Sequence, residues 1–425
     1  MCGIAGLVHP DPFRPVAHAT LSRMARAIRH RGPDGYGIAT DGGVGLVSTR
    51  LAIIDIEAGW QPMRTPTSAI VFNGEVYNHT ELRAGLGDRV RDWRTDCDTE
   101  VILRLLDLDG LAALDHLNGQ FAIAWWQPGS RRLTLIRDRF GVRPLYYSVL
   151  PDGSLVFGSE AKCLFASGLV RAEPDREGID EVFHLWGARA PRTPFAGVRQ
   201  VRPGGIVAWE DGRIVADTTW WTPEVDRPGR GDTDLEELLR DSVRLRLRAD
   251  VTVGTYLSGG LDSSLITALA VEEAGEPVET FSVAFADAEF DERVHQREVA
   301  RSLDVRHHQL TIDDSDIAGA FLDTIRHTET PSVRTAPIPL GLLARSVREA
   351  GIVVVATGEG ADEVFWGYDL FKEAKIRRFA LREPGSGARP ALFDRLYAHM
   401  GGRLAGTPFW RRALMNAGDP SDPLF

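Results

Sequence analysis

The chain has 425 residues, a formal net charge of −11 and three cysteines, Cys2, Cys97 and Cys163. That length holds two domains, each large enough for its own core. The acidic balance, with no long basic run, excludes nucleic acid as a main partner. No apolar stretch reaches membrane-spanning length, and the start lacks the charged and apolar regions of a secretory signal. The sparse cysteines make neither a disulfide framework nor a zinc spacing, so reducing cytoplasm is the expected compartment. Only three lysines occur, Lys162, Lys372 and Lys375, a skew that base composition explains but that leaves few candidates for a catalytic lysine.

The chain opens Met1-Cys2-Gly3-Ile4-Ala5-Gly6. A small residue after Met1 permits removal of the initiator, which leaves Cys2 with a thiol and a free α-amine. Such an amine titrates at about pH 8 and can serve as base for its own side chain, the logic of N-terminal nucleophiles. Taken alone, position 2 reads sooner as a small buried cysteine than as a nucleophile, so the rest of the segment decides. Further on, His30–Gly35 forms a tight polar loop, and Arg50-Leu51-Ala52-Ile53-Ile54-Asp55 places an arginine at the head of an apolar strand. Phe72-Asn73-Gly74-Glu75-Val76-Tyr77-Asn78 sets a polar turn against another strand, and Asp98-Thr99-Glu100 opens a helical run. Singly, Arg50 reads as a surface ion pair and Asn73-Gly74 as a hairpin turn.

The stretches 119–126, 132–139, 140–147 and 159–164 read as strands and core or inter-domain contacts, with Cys97 and Cys163 as packing residues. His184, Trp186 and the pair Trp220-Trp221 read as interface packing. Asp226–Asp232 is polar and rich in proline and glycine, a domain boundary. Thr233 and Glu236 then have the spacing of a capping box.

From there strands and helices alternate, which predicts a parallel sheet with ligands at the carboxyl ends of its strands. Leu257-Ser258-Gly259-Gly260-Leu261-Asp262-Ser263-Ser264 joins a strand to a helix N-terminus through a glycine-bearing loop, a setting that suits phosphate. It lacks the Gly-Lys-Ser/Thr ending of a Walker A loop, and Asp262 is placed to hold Mg2+. Thr357-Gly358-Glu359-Gly360-Ala361-Asp362-Glu363 puts glycines beside three carboxylates, which need a divalent cation near phosphate. His307-His308 has no third ligand nearby in sequence.

The loop Leu257–Ser264 is the signature of the ATP pyrophosphatases, and the five N-terminal pieces resemble, in their order, the glutaminase domain of class II amidotransferases. Over residues 1 to about 370 the chain resembles the glutamine-dependent asparagine synthetases. The resemblance implies an αββα N-terminal-nucleophile glutaminase domain over 1–225, a linker over 226–233, and an ATP-pyrophosphatase domain of α/β type with a parallel sheet over 234–425. It implies Cys2 as nucleophile and Asn73 and Gly74 as the oxyanion hole. Arg50, Leu51, Ala52, Ile53, Ile54, Asn73, Gly74, Glu75 and Asp98 become the glutamine site. Leu257, Ser258, Gly259, Gly260, Asp262, Ser263, Ser264, Val283, Thr357 and Gly358 become the ATP site, with Asp262 and Asp362 on Mg2+ and Glu359 where an acyl-adenylate forms and reacts. Glu329–Pro337 corresponds to the acceptor segment, where Arg334 either grips a carboxylate or makes a structural ion pair.

The implied reaction is ATP-dependent amidation by glutamine, with aspartate as the default acceptor and a homodimer as the assembly. The alternatives are another carboxylate acceptor in a specialised pathway, or a non-catalytic subunit that keeps the fold. The resemblance fades after Gly367-Tyr368. Family members carry a phosphate-contacting lysine further along, and Lys372 and Lys375 lie too close to the acidic cluster to be that residue. Trp366 stands where the family often has glycine. The expectation is therefore part of a longer protein, with a shortened and altered synthetase as the other reading.

Overall fold

A computed structural model describes residues 2–224, 234–287, 291–383 and 385–396. The expected linker, Thr233 of the expected capping box, and the final stretch lie outside the described residues. Asp234 caps the helix Leu235–Arg246 instead, its side chain accepting the Glu236 N–H at 2.9 Å.

In the first half, strands β1 (Gly3–Val8), β2 (Gly35–Asp41), β3 (Val44–Arg50), β4 (Met63–Arg64), β5 (Ala69–Val76) and β6 (Gly119–Gln127) are followed by β7 (Arg132–Arg137), β8 (Tyr146–Val149) and β9 (Leu155–Gly158). Then come β10 (Arg199–Gln200), β11 (Gly205–Glu210) and β12 (Arg213–Thr219). They build two antiparallel six-stranded sheets, ordered β10-β8-β9-β1-β3-β2 and β12-β11-β7-β6-β5-β4.

The strands are nearly continuous apolar runs because both faces of each sheet are covered. Ile4 and Val8 of β1 meet Ala122, Ala124 and Trp126 of β6 in the core between the sheets. The alternate residues Ala5 and Leu7 pack against Leu21, Met24 and Ala25 of the helix His18–Ala27. On the opposite outer face, Phe121, Ile123 and Trp125 pack against Val101, Ile102 and Leu105 of the helix Asp98–Asp109. Each large side chain so buried contributes about 1.5–3 kcal/mol. The result is the four-layer αββα sandwich expected from the family resemblance.

The second half carries β13 (Val253–Tyr256), β14 (Glu279–Phe285), β15 (Arg306–Ile312) and β16 (Val354–Ala356) in one parallel sheet ordered β15-β14-β13-β16. Buried hydroxyls of Thr255 on β13 and Thr267 on the helix Leu261–Ala274 lie 3.0 Å apart and fasten strand to helix. The described residues fall into two compact units. One comprises residues up to 259 together with 267–356, the other 260–266 together with the described residues from 357 on. No helix among the described residues is long and apolar enough to cross a membrane.

Candidate active site

Register explains why the first residues meet a distant arginine. Gly3 on β1 pairs with Thr49 on β3. One step further along this antiparallel ladder sets Cys2 beside Arg50, the last residue of β3. Arg50 thus ends a strand, where the sequence pattern predicts that it begins one. Leu51, just beyond the strand, donates its N–H to Cys2 Sγ at 3.4 Å, and the thiol points to the Leu51 carbonyl at 3.5 Å. Arg31 Nε holds the Cys2 carbonyl at 3.1 Å. Burial pushes the Cys2 thiol pKa up, while the Leu51 N–H pulls it down.

A single pocket is lined by Cys2, Arg50, Leu51, Ile53 and Ile54, and by Asn73, Gly74, Glu75 and Asp98. It gathers every glutamine-site residue expected from sequence except Ala52, whose N–H is bound to Asp34 Oδ2 at 2.9 Å. Arg50 donates through Nη1 to the Ile56 carbonyl and through Nη2 to the Asp55 carbonyl, both at 2.6 Å, and its guanidinium lies 4.8 Å from the Trp60 ring centre. Each terminal nitrogen has a second N–H, so these bonds orient the fork without exhausting it.

Asn73 and Gly74 lie inside β5, paired with Ala122 and Phe121 of β6, and not in a turn. Asn73 is fully buried, yet neither atom of its side-chain amide has a hydrogen-bond partner among the described residues. An orphaned buried amide carries a desolvation cost of about 1–3 kcal/mol, which a ligand oxygen at this position would relieve. Gly74 has no room for a side chain, because a Cβ there would fall 2.1 Å from the Gln120 carbonyl oxygen.

Glu75 closes the same wall. Burial, reinforced by Asp98, raises its pKa from 4.5 to about 8. Burial also raises Asp98, although Oδ2 accepts the Val76 N–H at 3.0 Å. No cation forms an ion pair with either carboxylate among the described residues. Two buried acids held by no direct ion pair, with Arg143 and Arg246 only partly offsetting the burial of Glu75, make a pocket that favours an incoming ammonium.

Sequence reasoning missed Gln61, Thr99 and Arg143, which also line the pocket. Gln61 bridges two walls, accepting the Phe72 N–H at 2.7 Å and donating to Thr99 Oγ1 at 3.1 Å. Arg143 belongs to a stretch read as core and inter-domain contact. Burial lowers its pKa, and Tyr77, Asp138 and Glu75 oppose that shift. Thr99 stands beside the expected Asp98, the one local signal available. Cys163 packs in the core as expected, whereas Cys97 is buried in the pocket wall with its thiol on Asp98 Oδ1 at 3.3 Å.

The residues expected to hold ATP divide between the two compact units. In the first, Leu257 donates its N–H to the Phe281 carbonyl at 2.9 Å, and Ser258 and Gly259 follow it. Val283 lies within β14. In the second unit, Ser263 and Ser264 donate to the Gly260 carbonyl at 3.2 and 2.7 Å. There Gly358 abuts the loop so closely that a Cβ would lie 3.0 Å from Asp262 Cβ and from the Ser263 nitrogen. Thr357 Oγ1 accepts the exposed Glu359 N–H at 3.4 Å, and Gly360 caps the short helix Ala361–Phe365, which contains Asp362.

Among the described residues no three His, Cys, Asp or Glu side chains form a metal-binding group. Mg2+ on a nucleotide needs only one or two carboxylates, with phosphates and water completing its shell, so Asp262 and Asp362 fit that requirement. His307 is committed to Thr280 and Ser282, at 2.9 and 3.1 Å, and His308 to Glu279 at 2.7 Å. In the acceptor segment, Arg334 lies over the Trp186 ring at 4.8 Å, and Glu329 accepts the N–H groups of Ala161 and Lys162 at 2.6 and 2.7 Å.

The sandwich and its cysteine-headed pocket are those of a glutamine amidotransferase domain, and the model of that family matches residues 1–221. The model of the asparagine synthase family matches residues 234–417. The chain belongs to the glutamine amidotransferase family, in the group that joins this domain to an asparagine synthase domain.

Its relatives include asparagine synthetase [glutamine-hydrolyzing] 1 of Bacillus subtilis (strain 168), 34% identical over 381 residues, which are 88% of this chain and 60% of that protein. Asparagine synthetase B [glutamine-hydrolyzing] of Escherichia coli (strain K12) is 33% identical over 395 residues, 88% of this chain and 66% of that protein. Amidase chyE of Penicillium rubens is 32% identical over 407 residues, 88% of this chain and 60% of that protein. The chain thus spans 60–66% of the length of these curated relatives.

Proposed function

We propose that the protein is a glutamine-hydrolysing, ATP-dependent amidotransferase that makes asparagine from aspartate, with glutamate, AMP and pyrophosphate as the other products. The observation that carries the reading is the single pocket that brings Cys2, Arg50, Asn73, Gly74, Glu75 and Asp98 together from separate segments.

In it the Arg50 fork takes the glutamine carboxylate and the Glu75–Asp98 pair takes its ammonium. With Met1 removed, the α-amine of Cys2 receives the thiol proton as sulfur attacks the side-chain amide. The Asn73 amide and Gly74 N–H face the oxyanion, a donor of this kind being worth about 10²–10³ in rate. Ammonia leaves, and water releases glutamate from the thioester. In the synthetase half, residues 257–264, Val283, Thr357 and Gly358 are the proposed ATP contacts, and Asp262 and Asp362 the proposed Mg2+ ligands. Glu359 is proposed beside the acyl-adenylate that ammonia attacks. The bound Mg2+ supplies charge neutralisation on the pyrophosphate leaving group. A homodimer belongs to the same reading by family resemblance.

Glutamate release and aspartate-dependent formation of AMP and pyrophosphate test it together. Cys2→Ala should lose glutamine use and keep ammonia use. Glutamate release without any AMP would remove the synthetase half of the reading. A second reading keeps the chemistry and changes the acceptor. It is supported by the stacking of Arg334, the arginine of the acceptor segment, on Trp186, and by the relative that is named an amidase. AMP formation that responds to other carboxylates and ignores aspartate would favour it.

A further inference from the structure

Asp55 has φ 49°, in the left-handed region that non-glycine residues seldom occupy. A set of hydrogen bonds holds it there. Its carbonyl accepts from Arg50 Nη2 at 2.6 Å and from the Gly59 N–H at 2.9 Å. Its Oδ1 accepts the Ala58 N–H at 2.9 Å, and its Oδ2 the Asp96 N–H at 2.8 Å. One residue therefore ties the arginine of the glutamine pocket to the segment that leads into Asp98.

The remaining group of Asp55, its N–H, is bound from the other half of the chain, by Asp250 Oδ2 at 2.7 Å. Asp250 also donates its own N–H to the Ile53 carbonyl at 2.9 Å. It thus grips the 53–55 loop on both sides of Ile54, and Ile53 and Ile54 line the pocket. Asp250 is itself anchored. Arg248, two residues before it, makes a bidentate pair with Glu81 at 2.6 and 2.5 Å and reaches the Tyr77 carbonyl at 3.2 Å. Arg246 lies over the Tyr77 ring at 4.6 Å. Residues 246–250 therefore brace both walls of the pocket, behind Glu75 and behind Arg50. Three residues after Asp250 begins β13, which runs on to Leu257 and Ser258.

We propose that Asp250 is a positioning residue for glutamine capture. Through Asp55 it braces the loop whose carbonyls aim Arg50, and so glutamine affinity depends on the strand that feeds the phosphate loop. Asp250 touches no reacting atom, so its loss acts on binding and not on the chemical step. An exposed carboxylate that holds a backbone N–H is partly replaceable by water, which places the effect at the low end for a hydrogen bond to a charged group, about tenfold.

Glutamate release at varied glutamine concentration tests this. Asp250→Ala should raise KM about tenfold with kcat within about twofold, whereas Asp250→Asn, which keeps an oxygen acceptor at the same reach, should stay within about threefold of wild type in KM. Should Asp250→Ala fail to fold, Asp250→Ser carries the same expectation, its hydroxyl being too short to reach the Asp55 N–H. A saturating non-hydrolysable ATP analogue should shift the wild-type KM for glutamine at least about twofold, and Asp250→Ala should remove most of that shift, because it cuts the side-chain contact between the strand and the 53–55 loop. Unchanged KM in a folded variant, equal impairment in Asp250→Asn and Asp250→Ala, or a wild-type KM indifferent to the analogue would each overturn the proposal. The inference rests on the glutaminase reading. Absence of glutamate release from the wild-type enzyme would defeat that reading, while an unchanged KM in a variant that still releases glutamate defeats only this one.

Discussion

Glu75 and Asp98 line one pocket as two buried carboxylates that form no ion pair among the described residues, and Asp98 adds to the burial that makes Glu75 reluctant to ionise. The pair is costly in the free protein and becomes favourable when an ammonium enters. Its geometry is therefore more informative about the ligand than about the fold.

A pH dependence follows from the Glu75 shift, from 4.5 to about 8. The folded, empty protein keeps this proton while the unfolded chain loses it, so stability falls as pH rises through the window from 4.5 to about 8. Binding an ammonium requires the carboxylate. Glutamine KM should therefore fall as pH rises, by up to about tenfold per unit, and level off above about 8. KM for glutamate release measured from pH 6 to 9 reads this directly. Glu75→Gln should flatten the slope, and a KM constant over that range in the wild type would contradict it.

Asn73 separates stability from activity. Its amide is buried without partners among the described residues, so Asn73→Ala removes no hydrogen bond from the empty protein. The melting temperature should hold or rise slightly, while kcat for glutamate release falls about 10²–10³-fold. Calorimetry beside steady-state kinetics separates the two effects, and a variant that melts early with full activity would deny the oxyanion role.

Arg50→Lys preserves charge and loses geometry. An ammonium cannot hold the Asp55 and Ile56 carbonyls, bound at 2.6 Å in the parent, and also present a planar fork to a carboxylate. Glutamine KM should rise about 10- to 100-fold, the loss of one charge-assisted hydrogen bond, with little change in ammonia-dependent turnover. Equal losses in both assays would mean that the arginine supports the fold and not the ligand.

Gly358→Ala tests the nucleotide loop. The new Cβ would press on Asp262 Cβ and the Ser263 nitrogen, each 3.0 Å away, and displace the loop by a few tenths of an ångström. Formation of AMP and pyrophosphate should fall about tenfold or more, since positioning governs such transfers, while glutamate release persists. Normal AMP formation would place the nucleotide elsewhere.

Where sequence reasoning succeeded, a local pattern carried the chemistry. The glycine-flanked Asn73, the acidic helix start at Asp98 and the cysteine at position 2 all belong to short motifs, and all line the pocket. The two sandwiched sheets were expected from family resemblance and follow physically from apolar runs covered on both faces. What stayed hidden depends on separation. Gln61 reaches Thr99 across 38 residues and Asp250 reaches Asp55 across 195, and no period or motif encodes such a pairing. Arg143 was misread as a packing position because its stretch is apolar on either side. Asn73-Gly74 favours a tight turn by composition, and pairing with β6 overrides that preference.

Glu329 bears on how the chain comes to be folded. The helix Ala161–Ala166 has no side-chain hydrogen bond at its own cap position. Its first N–H groups are bound by the Glu329 carboxylate, which lies 168 residues later in the chain as measured from Ala161. At about 5–20 residues per second, a ribosome needs on the order of ten to thirty seconds to cross that interval. Until then the helix end is served by water alone, and the nascent first half waits for a residue not yet made.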